Sequence, residues 1–174
     1  GLNLTIETLD GLLKHNGPVK NFKLYKNILN KSFFSKKIKF KSAPSLEAQI
    51  SSISDDIAYN NHDLQDGLRA GLFSIEKVGT IPHLSELVKK HQKQLKNFRK
   101  EIIINQIIRD LINLMVTDII ITTKENLKKN KPKNINDIYN QDNKIVHFSE
   151  KTQEIDNQVK DFLKHNMYNN KKVL

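Results

Sequence analysis

Residues 95–128 carry apolar side chains at helical spacing for longer than any other part of the chain, with Phe98, Ile102, Ile103, Ile107, Ile108, Leu111, Leu114, Met115, Ile119 and Ile120 among them. Residues three and four apart share one side of a 3.6-residue helix, so this run predicts a long central core helix. Asn105, Arg109, Asp110, Asn113 and Asp118 interrupt it. They come too often for a bilayer span, which needs about 20 predominantly apolar residues, and no membrane partner is expected. Nowhere do apolar and polar residues alternate between turn signals as a half-buried strand requires. The expected class is all-α.

The rest of the chain reads as further helices. Residues 4–15 carry Leu4, Ile6, Leu9, Leu12 and Leu13 and stop at Asn16, Gly17 and Pro18, a strong helix terminator. Residues 19–43 predict a lysine-rich connector with a short helix around 22–29. A turn is expected at 67–71, a linker at Gly79 and Pro82, and a new helix from Ser85. Residues 129–142, rich in Asn, Lys and Asp around Pro132, predict a mobile loop, after which Ser149 caps a last helix to about Met167. There is no internal repeat.

The segment PSLEAQISSISDDIAYNNHDLQDGLRAGL, residues 44–72, is the least ordinary of these helices. Pro44 and Ser45 mark its start, with Ser45 as N-cap and Glu47 in the first turn. Leu46, Ile50, Ile53, Ile57 and Leu64 recur near the helical period and predict a buried face. Asp55, Tyr59 and Asp63, each four residues from the next, form a second strip elsewhere on the helix. An ordered row of acid, phenol and acid calls for a reason beyond solubility.

Composition narrows the reason. The 174 residues have a formal charge of +10 and a pI near 9.6, mostly from lysine. That favours anionic partners such as nucleotides, nucleic acid or an acidic surface. The abundance of Asn, Lys and Ile is also what an AT-rich genome supplies, so compositional drift stands beside selection for a ligand as a source of the basicity. The chain has no cysteine, which excludes disulfides, thiolate zinc sites and cysteine nucleophiles and fits a reducing compartment most easily. Its opening residues, GLNLT, lack the basic region and long apolar segment of a signal peptide. A first residue other than methionine is expected of a processed or partial chain.

LNLTIETLDGLLKHNG, EAQISSISDDIAYNNHDLQDGLRAGL, HFSE and DFLKHNMYNNKKV together resemble the bacterial dGTPase-like deoxynucleotide triphosphohydrolases, metal-dependent enzymes of the HD-domain superfamily. The resemblance runs over nearly the whole chain. It implies the interior and C-terminal portion of an HD-type helical fold, with residues 1–130 as the C-terminal half of the helical core and 131–174 as the loop and terminal helix of an accessory region. It also implies hydrolysis of a dNTP, dGTP favoured, to a deoxynucleoside and triphosphate by metal-activated water, in the cytoplasm. Homo-oligomers and a single-stranded DNA partner are further family expectations.

Carried over to this sequence, the resemblance makes Asp55 the last aspartate of a metal site built from two histidines and two aspartates, with Mg or Mn as the divalent metal. Tyr59 and Asp63 match positions that contact the sugar 3′-hydroxyl. The other three ligands belong before this segment, so no catalytic residue is expected within it and the isolated chain is expected to be inactive without its missing N-terminal half. The alternative is a non-enzymatic remnant or basic helical nucleic-acid-binding module.

Blander readings stand beside these. Asp56 points about 100° away from Asp55 around the helix and reads as a supporting or surface group. His62-Asp63 imitates a His-Asp dipeptide, but adjacent residues on a helix diverge, so His62 is taken as a decoy. His15 suits the negative end of the first helix better than catalysis, and His83, His91, His147 and His165 sit in no ligand-like spacing. Arg69, Arg99 and Arg109 are weak candidates for phosphate contacts, since arginines on helices are commonly surface residues with packed stems. Lys36, Lys37, Lys39 and Lys41, interleaved with Phe33, Phe34, Ile38 and Phe40, could line a nucleic-acid groove, although such runs are more often solvated loops.

Overall fold

A computed structural model describes residues 3–21 and 38–170. The short helix expected around 22–29, and Lys36 and Lys37 with Phe33 and Phe34, lie outside the described residues. Seven α-helices are found among the described residues: α1 (Ile6–Leu13), α2 (Leu46–Arg69), α3 (Ile75–Val78), α4 (Ser85–Gln94), α5 (Lys100–Asn130), α6 (Ile135–Tyr139) and α7 (Glu150–Leu163). A 3₁₀ turn at Pro82–Leu84 precedes α4, and a π-helical turn, Lys164–Tyr168, follows α7. The described residues contain no strand, so the all-α expectation is met. No helix among them is long and apolar enough to cross a membrane.

The chain divides into two compact units. The first comprises residues 1–54 and 122–147. Thr5 caps α1 by accepting the Thr8 amide hydrogen, and Gly17, at φ 101°, supplies the left-handed turn that follows. Lys14 at the end of α1 is buried, 2.7 Å from Asp10 and from the Ser42 hydroxyl and over the Tyr139 ring. Ser45 accepts the Ala48 amide hydrogen, the N-cap expected for α2. The loop expected at 129–142 instead contains α6. Asn134 and Asp137 close a capping box there, which satisfies the orphan amides of so short a helix.

The second unit comprises residues 55–121 and 148–174. Leu64, Val78, Ile107, Leu111 and Leu163 are completely buried at its centre. Gly67, expected in a turn, lies inside α2; a β-carbon there would come within 2.3 Å of the Phe73 ring, so the glycine serves packing. The turn falls at Gly71, with φ 67°. Phe73 in turn packs edge-on against Phe162, ring centres 4.9 Å apart. Ser149 caps α7 as expected and is itself fixed by Asp118, whose oxygens accept its amide and hydroxyl hydrogens at 2.8 and 2.6 Å.

The central helix is present but differs from expectation in two respects. It begins at Lys100, not 95, because α4 ends at Gln94 and a turn leaves Phe98 exposed. Its buried stripe is narrower than the apolar run, since Ile104, Ile107, Ile108, Leu111, Met115 and Ile119 are buried while Ile102, Leu114 and Ile120 are exposed. A helix apolar on most sides can bury only the side that this chain covers.

Candidate functional site

The strip on α2 winds as it climbs. Four residues advance an α-helix by about 400°, so each successive member is displaced by about 40° from the one before. Asp55 and Tyr59 are exposed, Tyr59 by 61%, whereas Asp63 is half-buried. The drift carries the third member to the edge of the face that buries Ile57, Asn60, Leu64 and Leu68. That face is more polar than the expected apolar line: Ile50 is exposed, and Gln49, Asn60 and Asn61 are buried. Each of those amides has partners. Gln49 accepts the Ile145 and Val146 amide hydrogens at 3.0 and 3.1 Å, Asn60 donates to Asp156 at 3.0 Å, and Asn61 donates to the Ile57 carbonyl at 2.8 Å.

Asp63 acquires a partner from the far end of the chain: the Tyr168 hydroxyl donates to its Oδ2. Tyr168 ends the π-helical turn, where the Asn169 amide reaches back five residues to the Lys164 carbonyl at 3.1 Å. His165 is hydrogen-bonded to the Asp161 carbonyl at 2.7 Å and Asn166 to that of Phe162 at 2.8 Å, so the turn is fastened to α7. Burial raises the Tyr168 phenol above the usual tyrosine range; the hydrogen bond and charge of Asp63 and the neighbouring Tyr59 add to it. The phenol is therefore a hydrogen-bond donor throughout the neutral range. Asp63, with Oδ2 engaged, keeps Oδ1 as an acceptor for a hydroxyl.

The other sequence candidates are dispersed. Arg69 and Gln65 both donate to the Asn105 side-chain oxygen, at 3.0 and 2.9 Å, which ties α2 to α5. Arg99 precedes α5, where its carbonyl accepts the Ile102 amide at 3.0 Å, and Arg109 is exposed on that helix. Asp56 is 3.9 Å from Lys160, which approaches the buried Asp156 more closely, at 2.7 Å. His62 is exposed. His15 lies one residue beyond the α1 C-cap, which is Lys14. His91 is buried and 2.8 Å from Asp110, a pair internal to the second unit. Among the described residues no three His, Asp or Glu side chains come close enough to hold a metal ion, so these residues do not by themselves make a metal site.

Sequence reasoning missed Tyr168. It belongs to one of the stretches that carry the resemblance, but 105 residues separate it from Asp63 and no spacing rule connects them.

No family model matches the chain. Its full length aligns with a deoxyguanosinetriphosphate triphosphohydrolase-like protein of Pelagibacter ubique at 53% identity, covering 47% of that protein. Proteins of the same name from Rickettsia typhi and Agrobacterium fabrum are each 38% identical across the whole chain, which covers 45% and 44% of them. The chain belongs to the dGTPase-like family. It spans about half the length of the curated relatives it matches. An all-α architecture with a long central helix agrees with the HD-type fold expected of dGTPase-like proteins.

Proposed function

We propose that the chain is part of an enzyme that hydrolyses a deoxynucleoside triphosphate, dGTP foremost, to a deoxynucleoside and inorganic triphosphate. The observation that carries this reading is the likeness of the entire chain, at 53% identity, to a protein named for that activity. In this reading Tyr59 and Asp63 receive the sugar 3′-hydroxyl. A carboxylate aimed at that hydroxyl discriminates against nucleotides that lack it, because they leave a polar group unpaired at a cost of about 1–3 kcal/mol. Asp55 contributes one ligand of a divalent cation, Mg or Mn, and the part of the relatives that this chain does not span contributes the others. Arg69, Arg99 and Arg109 are the basic side chains from which phosphate contacts would be drawn. The chain alone is inactive, and the enzyme is cytoplasmic and oligomeric.

The test is to incubate dGTP and Mn²⁺ with the chain, and with a fusion of the chain to the part of the Pelagibacter ubique relative that it does not span. The fusion is expected to release deoxyguanosine and triphosphate and the chain alone nothing. An inactive fusion, with salt-sensitive binding of the +10 chain to single-stranded DNA, would replace this reading with a basic nucleic-acid-binding module. Turnover by the chain alone would overturn the assignment of Asp55 as a single ligand among several.

A further inference from the structure

We propose that Tyr168 is a positioning residue for nucleotide recognition: its hydroxyl holds the Asp63 carboxylate by one oxygen so that the other is aimed at the sugar 3′-hydroxyl. This rests on the reading of Asp63 given above. The geometry supplies three reasons. First, Asp63 is the half-buried member of its strip, and a carboxylate there turns about two side-chain torsions unless something fixes it. The Tyr168 hydroxyl is the group that engages it.

Second, the donor is itself well held. A π-helical turn sets aside the ordinary i to i−4 pairing and re-aims the side chains that follow, and such turns recur at functional sites. Here the turn is fixed by the bonds of His165, Asn166 and Asn169. In the middle of α7, Asn60 donates to the buried Asp156, so α7 and α2 are joined at a second point. Third, one donor does not saturate a carboxylate. Its two oxygens offer about four lone pairs, so the phenol stays in place while a sugar hydroxyl binds to Oδ1. Pre-aligning the acceptor lowers the ordering cost that a nucleotide would otherwise bear on binding.

The test uses Tyr168→Phe, which removes only the hydroxyl, in the fusion with the Pelagibacter ubique segment. KM for dGTP is expected to rise roughly tenfold with kcat little changed, as for loss of a charge-assisted hydrogen bond that acts equally on ground and transition states. KM for 2′,3′-dideoxy-GTP, which lacks the 3′-hydroxyl, is expected to stay as in the parent. A merely structural role would raise both KM values together. A fall in KM for dGTP would show that the phenol blocks the acceptor instead of aiming it, and either result overturns the proposal. An active parent fusion with an unaffected Tyr168→Phe variant sinks this proposal alone, whereas an inactive parent fusion sinks the functional reading beneath it. In the 174-residue chain itself, ¹³C-tyrosine NMR is expected to show the Tyr168 titration moving to lower pH in Asp63→Asn. An unchanged titration would show that the contact does not exist in solution.

Discussion

Two faces of α2 use polar side chains for opposite ends. On one, Gln49, Asn60 and Asn61 are buried, and each is engaged in holding the fold. On the other, Asp55 and Tyr59 are exposed and Asp63 sits at the edge, where the Tyr168 phenol donates to it. A buried polar group without a partner costs about 1–3 kcal/mol, so the first set is what this architecture requires. The second set lies at or near the surface, where no such requirement applies. Polar residues within reach of solvent are the ones that a ligand can meet, and this separates the strip from the buried set whose polar groups the fold consumes.

The sharpest way to break that contrast is at its outer end. Asp55→Asn in the active fusion is expected to abolish dGTP hydrolysis, while Asp56→Asn keeps a substantial part of it, with each variant still folded. Activity assays and thermal melts on the pair decide this. Survival of Asp55→Asn with loss of Asp56→Asn would mean that the other aspartate of the pair does the work.

Next in size comes the buried face. Asp156→Ala leaves the Asn60 amide and the Lys160 ammonium without the carboxylate that both now approach, at 3.0 and 2.7 Å. The expected loss is about 1–3 kcal/mol in urea unfolding. A value near zero would show that water replaces Asp156 at no cost and that the buried face is less demanding than its burial implies.

A smaller effect concerns a half-buried carboxylate on α5, Asp110. Burial pushes the Asp110 carboxyl up, but hydrogen bonds from His91 and Gln106 and the nearby charges of His91 and Lys90 outweigh it, leaving the group below the usual aspartate range. A depressed folded-state value means stability that is complete above the unfolded value of about 3.9 and is lost as pH falls through the folded one. The gap in unfolding midpoint between the parent and Asp110→Asn is therefore expected to be widest above about pH 4 and to close below it. A gap that persists to pH 2 would show that the His91 pairing does not depend on ionised Asp110.

Much of the fold was legible because its signals are local. Ser45 and Ser149 cap the helices they precede, Asn16-Gly17-Pro18 ends α1, and the α5 periodicity marks the longest helix. The departures are tertiary. Gly67 reads as a turn, whereas Phe73 needs the space, and apolar Ile102 and Ile120 could not announce that no described residue buries them. The α6 capping box was local and readable, yet the composition around Pro132 concealed it. In the candidate site the order Asp55, Tyr59, Asp63 was visible as spacing. Its gradient from exposed to half-buried follows from helix geometry alone. Tyr168 was invisible for the same reason that Gln49 was: their partners lie 105 and 96 residues away, and hydrogen bonds at that distance leave no periodic trace.

The smallest effect on stability is expected where the strip is most exposed. Tyr59 is 61% exposed, so any hydrogen bond that its hydroxyl makes is open to replacement by water, and removing the hydroxyl loses almost no apolar contact. Tyr59→Phe should therefore change the unfolding free energy by less than about 0.5 kcal/mol, the usual range for a surface substitution. In the fusion, the same change is expected to raise KM for dGTP several-fold, because the hydroxyl would be one of two groups meeting the sugar. The two measurements pull apart only if the residue serves a ligand. A melting temperature that drops as far as that of a truncated core residue such as Leu64→Ala, roughly 2–5 kcal/mol in equivalent stability, would return Tyr59 to the set that the fold consumes. The division between the two faces of α2 would then fail at its centre.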